Sequence, residues 1–329
     1  MSEPDYAGRR VLVTGGLGFI GSNLTIRLVE LGADVTIVDS LIPDLGGNRF
    51  NVEPVADRVR ISADDLRDAD AVARLVAGQE VVFAIAGNVS HVDSMKDPRQ
   101  DLDLNYLAQL TLLEVLRAEN PEARIVYAGS RQQYGRPRYL PLDESHPLDP
   151  VDVNGIDKAA AEQAMLVYNR VHGMPTCSLR LTNTYGPRMQ MRHARQGFVP
   201  WFVRRALDGQ KLELFGGGES LRDFNEVGDV MEAFLLCGRA DAAVGEVFNL
   251  GHPEPVTIRR FAEILVEVAA SGSLVDRPFP PERSSIDVGS VHADHAKIRD
   301  RLGWEPRVGL REGLAGTVEY YRRHRSHYW

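Results

Sequence analysis

Three regularly spaced glycines are the first residues in this chain whose pattern indicates chemistry. Gly15, Gly18 and Gly21 directly follow an apolar run and open a helical stretch. Glycine lets a backbone turn tightly and approach a pyrophosphate closely, and the N-terminus of the following helix offers N–H groups to that anion. Asp39 stands 18 residues after Gly21, where a carboxylate accepts hydrogen bonds from ribose hydroxyls and repels a 2′-phosphate. The pattern therefore predicts a dinucleotide site that takes NAD rather than NADP.

The elements that must position this site alternate between short apolar runs and longer amphipathic stretches. The predicted strands are the β-branched runs 10–14, 34–39, 59–61, 80–86, 124–128 and 176–181. One predicted helix spans 105–117, where Leu107, Leu110, Leu113 and Leu116 recur at three-residue steps, and another spans 159–172. Because strand–helix alternation is typical of crossover units, the predicted fold class is α/β, with a doubly wound parallel sheet of the Rossmann type.

The pattern changes after residue 187, where a basic loop leads to a helix at 198–207 and a strand at 211–215. A helix and a strand that could rejoin the sheet follow, and further helices are predicted at 295–302 and 310–324. We therefore expect an NAD-binding domain made of residues 1–185 and 225–252, and a smaller, discontinuous substrate-binding lobe made of residues 186–224 and 253–329.

Composition limits the possible partners and surroundings. The formal charge is −8, which argues against nucleic acid or an anionic membrane as the main partner. No run of about 18 apolar residues could span a bilayer, and the polar N-terminus lacks the apolar centre of a signal peptide, so a cytoplasmic location is expected. Cys177 and Cys237 lie in apolar stretches and are expected to be buried, reduced thiols. The histidines show no metal-binding spacing, so no metal is expected.

Several motifs in order along the chain carry a resemblance to a known superfamily. They are TGGLGFIGS at 14–22, DDLRD at 64–68, AIAG at 84–87, LTNTYGP at 181–187 and LGWEP at 302–306. From Val11 to about Tyr321 the chain resembles the extended short-chain dehydrogenase/reductase superfamily, in particular its NAD-dependent nucleotide-sugar epimerases and dehydratases. The resemblance implies a nucleotide-diphosphate sugar as substrate. It also implies a homodimer formed by helices at 100–117 and 159–171.

The resemblance, together with the glycine pattern, gives two sets of binding residues. The expected cofactor-binding residues are Gly15, Gly18, Phe19, Ile20, Gly21, Asp39, Ser40, Asp65, Leu66, Ala84, Ala86 and Lys158. The expected substrate-binding residues are Ser90, His91, Ser130, Asn183, Phe215, Arg222 and Arg283. Among the latter, Asn183, Arg222 and Arg283 would contact the diphosphate, which suits arginine because its planar fork makes paired charged hydrogen bonds.

The catalytic positions depart from the pattern of the superfamily at one residue. Its members use a Ser or Thr, a Tyr, and a Lys four residues after that Tyr. Here Ser130 and Lys158 match, but the tyrosine position is Asn154. A carboxamide has no titratable proton near neutral pH and cannot act as a general base. Asn154 is therefore expected to orient the substrate rather than to take its proton.

Three hypotheses remain open for the chemistry. In the first, an epimerase oxidises and re-reduces a sugar hydroxyl on tightly bound NAD, with Lys158 acting through a water, or with His91, Asp152 or Tyr185, as the proton carrier. In the second, the enzyme performs an elimination or a decarboxylation, or epimerises beside an existing carbonyl. In the third, the protein binds its ligands without turnover.

We favour the epimerase. The 4,6-dehydratases of this superfamily carry an Asp-Glu pair directly after the Ser or Thr, and this chain has Arg131 and Gln132 there.

Overall fold

A seven-stranded parallel sheet forms the centre of the protein. The computed structural model describes residues 5–279 and 287–329. The strands are β1 (Arg10–Thr14), β2 (Asp34–Val38), β3 (Val59–Ser62), β4 (Val81–Ala84), β5 (Arg124–Ser130), β6 (Thr176–Leu181), β7 (Asn183–Tyr185), β8 (Lys211–Phe215), β9 (Leu221–Arg222), β10 (Phe224–Glu226), β11 (Val247–Leu250), β12 (Val256–Thr257) and β13 (Ser273–Arg277). The order across the main sheet is β11-β6-β5-β4-β1-β2-β3. The chain therefore reverses its direction of travel between β1 and β4, which is where ligands bind in doubly wound sheets.

Helices cover both faces of this sheet. They are α1 (Phe19–Glu30), α2 (Ala69–Val76), α3 (His91–Lys96), α4 (Pro98–Leu102), α5 (Ala108–Glu119), α6 (Val153–His172), α7 (Phe198–Leu207), α8 (Val227–Arg239), α9 (Ile258–Ala269), α10 (Ala296–Leu302) and α11 (Leu310–His324). Helices α1, α8 and α10 share one core cluster with the sheet, and α2, α5 and α6 share the other. The predicted doubly wound α/β fold is therefore confirmed.

A separate apolar core lies in the second part of the chain. Side chains from α7, β8, α9 and α11 form it together with Tyr185. Helix α10 does not belong to this core, because Ile298 and Leu302 are buried with the main sheet, as is Trp304 just after the helix. Part of the segment assigned to the lobe from its sequence thus packs on the cofactor domain.

Two helical predictions need correction. Helix α6 begins at Val153 and not at 159, because the Asp152 side chain caps it by accepting a hydrogen bond from the Gly155 N–H at 2.8 Å. The predicted leucine stripe also fails at Leu107, which is 39% exposed. Residues Asp103–Leu107 form a π-helical turn, and its extra residue rotates the preceding positions away from the face that α5 buries.

A membrane-spanning segment is not found in the described parts of the chain, where every helix is too short or too polar to cross a bilayer.

Candidate active site

The turn between β1 and α1 is shaped to receive a phosphate group. Gly15 has a φ of +66°, and a Cβ atom there would lie 2.9 Å from the Ala86 Cα atom. A Cβ atom on Gly21 would lie 2.2 Å from the Gly15 carbonyl oxygen. Only glycine fits such close backbone contacts. They leave the N-terminus of α1 open to an anion, so this cradle fits the pyrophosphate of a dinucleotide.

A cavity extends from this turn along the carboxyl edge of the sheet. The predicted cofactor residues that line it are Gly15, Gly18, Phe19, Ile20, Gly21, Asp39, Ser40, Asp65, Leu66 and Ala86. Ala84 does not line the cavity, contrary to the prediction, because its side chain is fully buried among the helices behind the sheet. Ile85 and Gly87 line it instead, as expected where a strand ends and its side chains no longer alternate between two packed faces.

Asp39 links the end of β2 to the glycine turn. One carboxylate oxygen accepts a hydrogen bond from the Leu17 N–H at 3.0 Å, and the other accepts one from the Leu41 N–H, also at 3.0 Å. Burial raises the pKa of this carboxyl above its ordinary value. Each oxygen keeps a further lone pair, so Asp39 can hold the turn and still accept a bond from a ribose hydroxyl.

Two neighbouring residues shape the far end of the same cavity. Leu66 is buried and forms part of the apolar wall of the cavity. Asp65 forms an ion pair with Arg67 at 2.7 Å, and the hydrogen bond from that guanidinium lowers the pKa of the Asp65 carboxyl.

Ser130 ends β5, and its segment is joined to that of Lys158 on α6, although neither residue lines the cofactor cavity. Gln133 joins the two segments, since its side chain accepts a hydrogen bond from the Ser130 N–H at 3.3 Å and donates one to the Lys158 carbonyl at 3.1 Å. The Lys158 ammonium lies 3.5 Å from the Ala128 carbonyl oxygen and 5.5 Å from the centre of the Tyr127 ring. Burial lowers the pKa of Lys158 to about 8.

Asn154 is completely buried, with an exposed fraction of 0%. Its amide nitrogen donates to the Asn88 carbonyl at 2.9 Å and to both carboxylate oxygens of Asp101 at 3.2 Å. Asn88 also donates to Asp101, at 3.0 Å. The side chain of Asn154 therefore fastens the loop after β4 to α6, and its expected contact with substrate stays a prediction.

His91 lies directly after that loop, at the start of α3. Its Nδ1 atom is hydrogen-bonded to the Asp152 carboxylate, and its Nε2 atom to the Gln132 side-chain amide. Burial alone would raise the pKa of Asp152, but the hydrogen bond and the electrostatic interaction with His91 lower it overall. Ser90 is less accessible to a ligand than His91. It is buried, and its hydroxyl caps α3 by accepting a hydrogen bond from the Asp93 N–H.

The expected diphosphate residues lie beyond Ser130, where the second lobe begins. Arg222 is buried and donates from one nitrogen to the Leu221 and Gly289 carbonyls. Burial and the nearby charge of Arg131 lower the pKa of Arg222 to about 9. Asn183 donates to the Asp223 carbonyl at 3.1 Å. Arg283 lies outside the described residues.

Phe215 ends β8 and packs edge-on against Phe279, with 6.3 Å between the ring centres. It stands directly before the glycine turn that follows that strand.

Tyr185 does not reach this site and is removed from the possible proton carriers. Its side chain is fully buried in the apolar core of the second lobe, where a Cβ atom on Gly313 would lie 2.2 Å from its hydroxyl oxygen. Burial raises its pKa well above the ordinary value.

Sequence reasoning also missed residues of the site. It gave Asp101 and Asn88 no role, and it saw Gln132 only as a missing carboxylate. These side chains act on partners that are distant along the chain, so no local pattern marked them.

The doubly wound fold and the glycine cradle are those of a dinucleotide-binding protein. The sequence model of the NAD dependent epimerase/dehydratase family matches residues 11–251. The chain belongs to this family.

Similar proteins include both epimerases and dehydratases. UDP-glucose 4-epimerase from Mycolicibacterium smegmatis is 32% identical over 315 residues, which are 95% of this chain and 98% of that protein. A UDP-glucose 4-epimerase from Thermotoga maritima, solved with UDP-glucose, superposes with a TM-score of 0.88 at 31% identity, covering 96% and 99% of the two chains. dTDP-glucose 4,6-dehydratase from Streptomyces niveus is 32% identical, covering 96% of this chain and 94% of that protein. A general nucleotide-sugar epimerase or dehydratase role follows for this enzyme.

The buried charge of Lys158 should make the protein less stable than its packing allows. Replacing it in Lys158→Met should raise the free energy of unfolding by about 2 kcal/mol at pH 7, because the folded state then buries no unpaired ammonium. The Lys158 pKa is lowered from 10.5 to about 8, so the gain should be complete below pH 8 and disappear as the pH rises through 10.5.

Urea denaturation of the NAD-free protein at several pH values would measure this gain. Lys96→Met is the matched control, since Lys96 is exposed and should change the stability by less than about 0.5 kcal/mol. Equal stabilities of Lys158→Met and the unaltered protein at pH 7 would show that the ammonium is not desolvated.

Proposed function

We propose that this enzyme inverts a hydroxyl-bearing carbon of a nucleotide-diphosphate sugar by transient oxidation, without net redox change. NAD, held by Gly15, Gly18, Gly21 and Asp39, would supply the hydride acceptor and donor for this reaction. The observation that supports the proposal is that Gln133 joins the segments of Ser130 and Lys158, with no carboxylate directly after Ser130. The Lys158 ammonium also lies beside Gly87, which lines the cofactor cavity. Elimination of water would need a general acid and a general base at such positions, and Arg131 and Gln132 stand there.

The residues at the reacting end have separable roles in this proposal. The Ser130 hydroxyl holds the reacting sugar hydroxyl by a hydrogen bond. Lys158 binds the hydroxyls of the nicotinamide ribose, which its buried ammonium can do with three donors. Asn154 stands at the position of the usual tyrosine without its proton, and through Asn88 and Asp101 it positions the loop that leads to His91.

Two arginines would hold the diphosphate end of the substrate in this proposal. Arg222 and Arg131 are both poorly solvated, and burial lowers the pKa of each guanidinium. In the described part of the chain the Arg131 guanidinium has no hydrogen bond or ion pair, so it is available to an anion. Asn183 and Phe215 complete the proposed subsite. Residues 1–185 and 225–252 would bind NAD, and the remaining segments, apart from α10 and Trp304, would hold the sugar nucleotide.

The experiment that tests the reaction is conversion of a panel of UDP-, GDP-, dTDP- and CDP-sugars, followed by NMR in deuterated water. We expect one member to give an epimer without deuterium at the inverted carbon, because the hydride never exchanges with solvent. Ser130→Ala should lower kcat about 100-fold and leave the NAD content unchanged, whereas the exposed Ser145→Ala should leave both unchanged.

Other products would replace the proposal with a different one. Deuterium at the inverted carbon would indicate epimerisation beside a ketone, and release of water or carbon dioxide would indicate elimination or decarboxylation. Thermal stabilisation by a sugar nucleotide without conversion would indicate a protein that binds but does not turn over.

We also propose that a second copy of this chain covers an apolar face on two adjacent helical segments. Leu107, before α5, is 39% exposed, and Val167 and Val171 on α6 are 39% and 68% exposed. Exposed large apolar side chains on helical segments that pack against one another are typical of subunit contacts.

Sedimentation velocity tests this surface directly. The unaltered protein should sediment as a dimer, and Val171→Glu should weaken association at least about 10-fold because it buries an unpaired charge. Leu140→Glu, an exposed apolar position outside this face, should leave the dimer intact. A monomer at all concentrations for the unaltered protein would overturn the proposal.

A further inference from the structure

A histidine, an aspartate and a glutamine from three separate elements meet beside Ser130. His91 is the first residue of α3, Asp152 caps α6, and Gln132 belongs to the short helix Arg131–Tyr134 that follows β5. All three elements begin at the carboxyl edge of the parallel sheet, which is the edge that carries the site. None of the three residues has a role in the proposed function, which uses Ser130, Asn154 and Lys158.

The hydrogen bonds of the cluster indicate which ring nitrogen of His91 carries the proton. Asp152 accepts the Gly155 N–H with Oδ1, and its Oδ2 contacts His91 Nδ1. A carboxylate can only accept, so the proton of the neutral imidazole stays on Nδ1. Nε2 then carries a lone pair, which accepts from the Gln132 amide. A base oriented by an aspartate on its other nitrogen is the arrangement that activates hydroxyl groups in unrelated enzymes.

The cluster also reaches the residue proposed to hold the sugar hydroxyl. The backbone N–H of Gln132 donates to the Ser130 hydroxyl at 3.2 Å, and the side chain of the same residue contacts His91. The His91 side chain is 37% exposed, while that of Asp152 is 3% exposed. The imidazole is thus the solvent-accessible member of the pair.

The other proton carriers that the sequence suggested fit less well. Tyr185 lies in the core of the second lobe. Both oxygens of Asp152 are already engaged. Lys158 is buried with its ammonium directed to the Ala128 carbonyl, and the proposed function uses it for the ribose.

We propose that His91, oriented by Asp152, is the proton carrier that replaces the missing tyrosine. This inference rests on the proposed function. As the sugar carbon gives up its hydride to NAD, the O–H bond of its hydroxyl breaks and a new N–H bond forms at His91 Nε2, which leaves a ketone and an imidazolium. On return of the hydride to the other face, the imidazolium gives its proton back to the oxygen. Gln132 must turn aside for the sugar hydroxyl to reach Nε2.

Several charged groups surround the imidazole. Asp152 lies against Nδ1, and Arg131 precedes Gln132 and acts electrostatically on Asp152. On α3 itself, Asp93 carries a negative charge that pairs with Arg195 at 3.5 Å. These groups surround a histidine rather than a tyrosine. The pH dependence of kcat should therefore differ in kind from that of an enzyme whose proton carrier is a phenol.

The test compares His91→Asn, His91→Ala and Asp152→Asn with the unaltered holoenzyme, using the sugar nucleotide that the panel identifies. Asparagine keeps a donor near the Nδ1 position and lacks the base. We expect His91→Asn to lower kcat about 100- to 10,000-fold with unchanged NAD content and sugar-nucleotide affinity. The kcat profile should lose its dependence on one ionisation, and added imidazole should raise the rate of His91→Ala at least about 10-fold. Asp152→Asn should shift that ionisation.

Controls and contrary results separate this inference from the proposed function. His172→Gln, at the exposed far end of α6, should behave as the unaltered enzyme. A normal rate and pH profile in His91→Asn would overturn the inference and leave the epimerase standing. A slow His91→Asn with an unchanged pH profile, together with a His91→Ala that imidazole does not rescue, would assign His91 a structural role only. If the unaltered enzyme converts no sugar nucleotide, the proposed function fails and the inference falls with it.

Discussion

The carboxylate of Asp152 is the interaction on which the active site depends. One of its oxygens closes the first turn of α6, and the other holds the imidazole of His91. Because α6 also carries Asn154 and Lys158, the buried Asp152 side chain links the start of that helix to the residue that follows the loop after β4. An exposed aspartate could not do this, since water would compete for both of its hydrogen bonds.

A buried polar network holds Asn154, the residue at the position where a tyrosine was expected. Asn154, Asn88 and Asp101 hydrogen-bond to one another below the site. Asp157 lies next to Asp101, and burial together with that neighbouring carboxylate raises the pKa of Asp157 to about 7. The amide at position 154 therefore has a structural use that a phenol could not serve with the same contacts. In the proposed function the proton carrier is an adjacent group, His91, which directly follows the loop that Asn154 holds.

Much of the fold could be predicted because its signals are local. Four elements have the predicted bounds, namely the strands at 10–14 and 176–181 and the helices at 198–207 and 310–324. Their signals, which are periodic apolar patterns and glycine turns, each extend over only a few neighbouring residues. The start of α6 was predicted too late because Val153, Asn154 and Gly155 have low helix propensity, and only the Asp152 cap marks it. Leu107 was misplaced because a π-helical turn leaves no mark on an apolar pattern. The pair of His91 and Asp152, separated by 61 residues, depends on tertiary packing that no window of sequence contains.

A crystal structure of the enzyme with NAD and the sugar nucleotide it converts would test the central claim most directly. The account predicts that Gln132 has turned away and that His91 Nε2 lies roughly 2.6–3.2 Å from the reacting hydroxyl, or one water from it. The same hydroxyl should contact Ser130, and Asp152 should still hold Nδ1. A substrate hydroxyl that faces Asn154 or Lys158, with His91 still paired to Gln132, would contradict the account.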